Sequence, residues 1–231
     1  LARREGDHLR DALDSVRVVN IMSWPSKAPA HDLSNALAVA PREQLYTAIG
    51  GNTPQAQVND AAERIHNGDL KMVLIAGAEC VYSARRARAK NIDLGWSPRG
   101  TPATDVGDTR GGISPAEAKH GATLPTQVYP LFENALRAHY GRTLDAHQEA
   151  LGELFAPFSA VAEKNPYAWF GEAKTARQIA TPDAANRYIG FPYTKYMNAI
   201  IDVDQAAALL VTSTGEARRL GIPEDRWVYV R

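Results

Sequence analysis

The chain is short of several things that whole classes of protein require. Its 231 residues include one cysteine, Cys80, too few for an internal disulfide or a multi-thiolate metal site, and a reducing, cytoplasmic setting is the expectation. No stretch approaches the roughly 18 consecutive apolar residues that cross a bilayer, so no membrane span is expected. Leu1-Ala2-Arg3-Arg4-Glu5 is polar and carries charges of both signs, unlike a signal peptide. Charge of one sign is missing too: 26 Lys+Arg balance 26 Asp+Glu, which argues against a nucleic-acid partner. The six histidines, at 8, 31, 66, 120, 139 and 147, show no metal-ligand spacing; no metal is expected, and His139 and His147 read as structural or exposed. There is no internal repeat. What is present is ordinary: 45% apolar and 23% charged residues give a chain able to bury a core, neither disordered nor collagenous, in one large domain or two small ones.

Residues 5–15 read as a polar helix with Leu9 and Leu13 on one face. Residues 16–22, rich in β-branched side chains, read as a strand. A short helical stripe through Leu33, Ala36, Leu37 and Ala40 follows, then a second strand over residues 45–49 ending on Gly50-Gly51. Thr53-Pro54 supplies an N-cap hydroxyl and a proline at the first helical position. Val58, Ala61, Ala62 and Ile65 then recur at helical spacing until Asn67-Gly68, where residues tolerant of positive φ stop the helix. The apolar run over residues 72–78 suits a strand covered on both faces, and strand, helix and strand make a βαβ unit. The architecture is therefore α/β.

Residues 96–126, rich in Gly, Pro, Asp and Thr, read as a long excursion. Two helices are expected after it. The first covers residues 130–140, with Leu131, Phe132, Ala135 and Leu136 on one face. The second covers 144–164, with Leu151, Leu154, Phe155, Phe158 and Val161 as its core stripe, and ends at Asn165-Pro166. An apolar strand over 206–211, a capping box at Ser213-Thr214-Gly215-Glu216 and the start of a strand at Trp227-Val228-Tyr229-Val230 complete the reading.

Four ordered blocks resemble the thiolase superfamily. Ala61-Ala62-Glu63-Arg64-Ile65-His66-Asn67-Gly68-Asp69 is similar to the helix end Ala-Ala-x-x-Ile-x-x-Gly followed by Asp. Leu74-Ile75-Ala76-Gly77-Ala78-Glu79-Cys80 resembles the strand ending Ala-Gly-Gly-x-Glu-Ser. The block from Asn198-Ala199 to Asp204-Gln205-Ala206-Ala207-Ala208 resembles Asn-Ala-x-x-x-x-Asp-Gly-Ala-Ala-Ala. Tyr140-Gly141-Arg142-Thr143 and Asn165-Pro166-Tyr167-Ala168-Trp169-Phe170 look like the loop domain of sterol-carrier-protein-X thiolases. Gly50-Gly51-Asn52-Thr53-Pro54-Gln55 and Tyr129-Pro130-Leu131-Phe132-Glu133-Asn134-Ala135-Leu136 are similar to the actinobacterial thiolase-like proteins labelled acetyl-CoA acetyltransferases.

The resemblance implies a five-stranded mixed sheet from residues 1–81 and 189–226, interrupted by a mostly helical, coenzyme A-binding loop domain over 82–188. Residues 227–231 would start a strand of a C-terminal half. That half, from the same longer chain or from a partner subunit, is an implied partner, and a homodimer is a further arrangement the family allows. The implied ligand is coenzyme A or an acyl-CoA, and the implied role is acyl transfer in lipid metabolism. A thiolase needs a cysteine thiolate at the tip of the strand–helix turn, where a helix N-terminus lowers its pKa. Counting back ten residues from Ala61, that position is Gly51, so no catalytic residue is assigned and ordinary thiolysis is not expected. Cys80 stands where thiolases have Ser, one element away, and reads as a half-buried thiol.

Gly51 and Asn52 remain substrate-binding candidates through backbone N–H groups, although a tight turn also calls for glycine. Arg85, Arg86 and Arg88 are candidates for the nucleotide phosphates of coenzyme A, against the reading of a solvated, salt-bridged face. Tyr167, Trp169 and Phe170 read as loop-domain packing. The alternatives to a thiolase-like acyl-CoA-binding protein are cysteine-independent retro-aldol cleavage of a β-hydroxyacyl-CoA and a non-catalytic carrier or scaffold.

Overall fold

The computed structural model describes residues 7–230. The first helix is shorter than expected, α1 (Asp7–Asp11); residues 5 and 6 of that expectation, the polar opening read against a signal peptide, and Arg231 lie outside the described residues. β1 (Ser15–Val18) is buried at all four positions. It stops short of the expected Met22 because, after Val19, whose N–H still bonds Ala76 O at 2.8 Å, the backbone N–H groups leave the ladder for side chains. Asn20 N–H goes to Thr47 Oγ1 at 3.1 Å, Ile21 N–H to Tyr46 Oη at 2.8 Å, and those of Met22 and Ser23 to the Glu79 carboxylate at 2.8 Å each.

The chain continues through α2 (Pro29–Leu37), β2 (Glu43–Tyr46), α3 (Thr53–His66), β3 (Met72–Cys80) and α4 (Val81–Lys90). Far along the sequence come β6 (Asp204–Thr212) and α9 (Thr214–Arg219). Ser213 caps α9 by accepting from Glu216 N–H, but the Glu216 carboxylate turns to Arg219, so only half of the expected capping box forms. The sheet order is β2-β1-β3-β6, with β1, β2 and β3 parallel and β6 antiparallel to β3. Four strands thus form the mixed sheet among the described residues, against the five that the resemblance implies. Trp227–Val230 joins no ladder. Trp227 instead turns back, donating from Nε1 to Ile222 O at 3.1 Å under the Arg218 guanidinium.

Alternation along the strands sorts the two faces. Val18 packs with Ala30 of α2 and Tyr46, while Val73, Ile75 and Val211 pack with Ala61 of α3 and Leu70. Arg17, opposite Ile75 in the register, belongs to the α3 face.

The chain divides into two units, residues 1–110 with 201–231, and residues 111–200. The sequence-based boundary at 81/82 differs, because residues 95–110 are tied to the sheet unit: Gly100 N–H bonds Pro25 O, Ala48 N–H bonds Val106 O, and Tyr46 N–H bonds the Asp105 carboxylate.

The second unit holds α5 (Pro115–Lys119), α6 (Pro125–His139), α7 (Leu144–Glu163), α8 (Ala176–Ala180), β4 (Tyr188–Gly190) and β5 (Tyr193–Thr194). Helix α6 begins five residues before Pro130, which is buried within it. Proline leaves Thr126 O without its helical N–H donor, and Gly190 approaches that oxygen so closely that a Cβ would lie 2.6 Å from it.

The α7 stripe expected in the core splits. Leu151 is buried with Ile179 and Met197, and Phe155 packs against them, but Leu154, Phe158 and Val161 are 58%, 65% and 70% exposed. Periodicity marks an apolar face without saying how much of it is covered. His147, by contrast, is buried, its Nε2 2.8 Å from Glu133 Oε1, and Tyr193 donates to the other oxygen of Glu133. Burial and then this bond to Glu133 push the Tyr193 phenol well above its ordinary value.

The contact between α7 and α8 depends on Gly152. An added Cβ would sit 2.4 Å from Ala176 O and 3.0 Å from Ala180 Cβ. Helix propensity favours alanine by about 1 kcal/mol, but a clash with backbone in a packed contact costs up to about 3 kcal/mol. Gly152→Ala is therefore expected to destabilise by about 2 kcal/mol, read as a lower urea midpoint at unchanged slope.

Candidate active site

The parallel strands β1, β2 and β3 end on the same side of the sheet, where loops of α/β folds gather functional groups. Glu79, near the end of β3, holds the loop after β1 through the N–H groups of Met22 and Ser23. Tyr46 of β2 holds the same loop at Ile21, and burial, aided by the Glu79 charge, raises its phenol pKa. Neither Glu79 nor Tyr46 stood out in the sequence; for Glu79, its place in the Ala-Gly-x-Glu block was the available signal.

The turn after β2 carries Gly50-Gly51-Asn52 into α3. Asn52, with φ −87° and ψ −10°, is the N-cap residue, and no side chain caps the helix. Thr53, expected to be the cap, lies in the first turn and donates Oγ1 to Ala48 O at 3.3 Å. The two glycines differ. A Cβ on Gly50 would lie 2.8 Å from Thr53 Oγ1 and 2.9 Å from Asn52 Oδ1, so a side chain there would force those two side chains to shift. Gly51 is exposed, lacks a left-handed φ, and its added Cβ would meet no heavy atom within 4 Å. Glycine at 51 is not a steric requirement of the turn.

Cys80 ends β3, half-buried, with Sγ 3.3 Å from Ser23 Oγ, and its own N–H donates to that hydroxyl at 2.9 Å. Among the described residues no cluster of three His, Cys, Asp or Glu side chains could hold a metal ion, and no helix is long and apolar enough to cross a membrane.

Helix α4 follows directly from β3. Arg85 and Arg86 line a recess of about 400 Å³ together with Tyr82, Ala89 and Asp202. The Arg86 guanidinium lies 5.3 Å from the Tyr82 ring centroid, and Nη1 donates to the Tyr82 hydroxyl at 2.6 Å. The guanidinium of Arg85 pairs with Asp202. Arg88 is exposed in the last turn of α4 and does not line the recess. Tyr82, four residues before Arg86, was findable by helical spacing; Asp202, over a hundred residues away in sequence, was not. Tyr167, Trp169 and Phe170 are exposed, and Phe170 meets Tyr196 of the same unit edge to face at 5.9 Å.

No family model and no curated protein matches the chain. Solved structures do. A monomeric SCP2-thiolase-like protein type 1 from Mycobacterium smegmatis is 30% identical with a TM-score of 0.75, over 98% of this chain and 42% of its own length. The Ltp2-ChsH2(DUF35) aldolase shares the fold, with a TM-score of 0.61 and 20% identity over 90% of this chain and 47% of its own. The chain thus spans less than half the length of either. Over nearly its whole length the chain has the fold of the SCP2-thiolase-like proteins.

Proposed function

We propose that the chain is the ligand-binding part of an acyl-CoA-binding, thiolase-like protein that forms no thioester intermediate. The observation that carries this reading is the open Gly51 at the start of α3: the position accommodates a side chain sterically, yet holds none. Backbone N–H groups at the α3 N-terminus, with Asn52, would take the thioester oxygen. Arg85 and Arg86 would take phosphate oxygens of coenzyme A. Acetyl-CoA labelled in the acetyl group tests this: the label should leave with the ligand on denaturation, and a stable label on Cys80 would overturn it.

A second reading has specific support, because a neighbour in fold is named an aldolase. Retro-aldol cleavage of a β-hydroxyacyl-CoA needs an acid–base pair and an oxyanion site, not a cysteine. Turnover of a β-hydroxyacyl-CoA that falls at least tenfold in Asn52→Ala would select the aldolase over a silent carrier.

The site also calls for further polypeptide. Edge strand β6 leaves Leu209 and Leu210 44% and 43% exposed, beside a groove of about 810 Å³ that Trp227–Val230 helps to line. The length that the solved relatives have beyond this chain, supplied in the same polypeptide or by a partner subunit, would cover this surface; a homodimer is the other arrangement, and a cytoplasmic setting is proposed for all of them.

A further inference from the structure

The Arg85–Asp202 pair is poorly explained as a fold fastener. The segment that carries Asp202 is already joined to α4 by its neighbours: Asp204 accepts from Ser83 N–H at 3.1 Å and from Ser83 Oγ, and Val203 O accepts from Tyr82 N–H. The pair is also exposed, 69% at Arg85 and 41% at Asp202, where such contacts contribute little to stability. Little is lost by breaking it.

Its position matters more than its strength. The recess has two guanidiniums in its lining and one carboxylate. Arg86 is oriented by the Tyr82 ring and hydroxyl without losing its charge, whereas the charge of Arg85 is offset by Asp202. A phosphoryl group entering the recess would meet a like charge and one guanidinium already engaged. A phosphoryl group carries up to about two negative charges against one on Asp202 and can bond both guanidiniums at once, so it can displace the carboxylate, at a cost in affinity.

We propose that Asp202 is a displaceable counter-ion on Arg85, which a ligand phosphoryl group must displace in order to bind. The inference takes its ligand class from the acyl-CoA reading and rests on it. It makes Asp202 a determinant of affinity and selectivity: weakly charged or phosphate-free ligands fail to displace it, and polyanionic ones succeed.

Isothermal titration of coenzyme A and, separately, of inorganic pyrophosphate into wild type, Asp202→Asn, Arg85→Gln and the double variant tests this at low ionic strength. Asp202→Asn is expected to tighten both ligands by roughly 3- to 10-fold. On the Arg85→Gln background the same change should alter affinity less than twofold, because the competition runs through Arg85. S-Acetylpantetheine, which lacks the phosphates, should be indifferent to Asp202. Unchanged or weaker binding in Asp202→Asn, or an equal gain without Arg85, overturns the inference. Binding of both phosphate ligands with no response to Asp202 removes the counter-ion role alone. Pyrophosphate binding that tightens in Asp202→Asn while coenzyme A fails to bind keeps the counter-ion role and removes the acyl-CoA reading. Absence of binding by both ligands to every variant removes the two together.

Discussion

Arg17→Ala is expected to lower the free energy of unfolding by about 3 kcal/mol, the lower end of what removing one partner from a buried ion pair costs. Arg17 is fully buried in the parallel strand pair β1–β3. Its guanidinium reaches Asp60 at 2.6 Å, Gln57 Oε1 at 3.1 Å, and Gln57 O, Glu43 and Ser15 Oγ at 3.3 Å each. One side chain on β1 thus holds β2 and the middle of α3. The low end is expected because the stranded acids have other recourse. Asp60 is half exposed, and Glu43 keeps Arg64 at 2.8 Å.

Acid should narrow the difference. Burial pushes the Glu43 carboxyl up, but bonds from Ser15 and Arg64 and the charges of Arg64 and Arg17 outweigh it, leaving it below its ordinary 4.5. A depressed carboxyl stabilises the fold above its unfolded pKa and loses that contribution as pH falls through the lower folded value. The gap between wild type and Arg17→Ala should therefore be full near neutrality and shrink below about pH 4.5. Urea titrations at pH 7 and pH 4 read both effects. A loss under about 1 kcal/mol at neutrality would show that the cluster is dispensable.

The second large effect is a gain. Gly51→Cys should leave stability within about 0.5 kcal/mol, since the position is exposed and its added Cβ meets nothing within 4 Å. It would put a thiol at the N-terminus of the 14-residue α3, where the helix dipole favours the thiolate. Alkylation by iodoacetamide at pH 7 should be at least tenfold faster at position 51 of this variant than at Cys80, with the sites separated by peptide mass. Acetyl-CoA should then leave an acetyl group at position 51 where wild type carries none. Gly50→Ala is the matched control: a Cβ there is crowded by Thr53 and Asn52, and the variant should lose stability without gaining reactivity. Equal reactivity of the introduced thiol and of Cys80 would contradict this placing of the turn.

What the sequence disclosed, and what it hid, follows from the range of the interactions. Helix α3 was legible from the spacing of Val58, Ala61, Ala62 and Ile65 with Asn67-Gly68 after it, and β3 from one apolar run. Both signals are local. Arg17 was not legible as a buried residue, because its partners Glu43, Gln57 and Asp60 come from two other elements 26 to 43 residues away. The outward half of the α7 stripe and the Arg85–Asp202 pair were hidden for the same reason. Gly51 was intermediate: register with the thiolase pattern found the position, but only the space around an added Cβ separates it from Gly50.

The proposed behaviour is binding of an acyl-CoA at the carboxyl ends of the parallel strands without transfer of the acyl group to the chain. Titration of acetyl-CoA into wild type, followed by denaturing mass spectrometry of the same sample, tests it most directly. Saturable binding that weakens in Arg86→Gln, with a polypeptide mass unchanged after denaturation, is the predicted result. No saturable binding, or an acetyl adduct on Cys80, would contradict it.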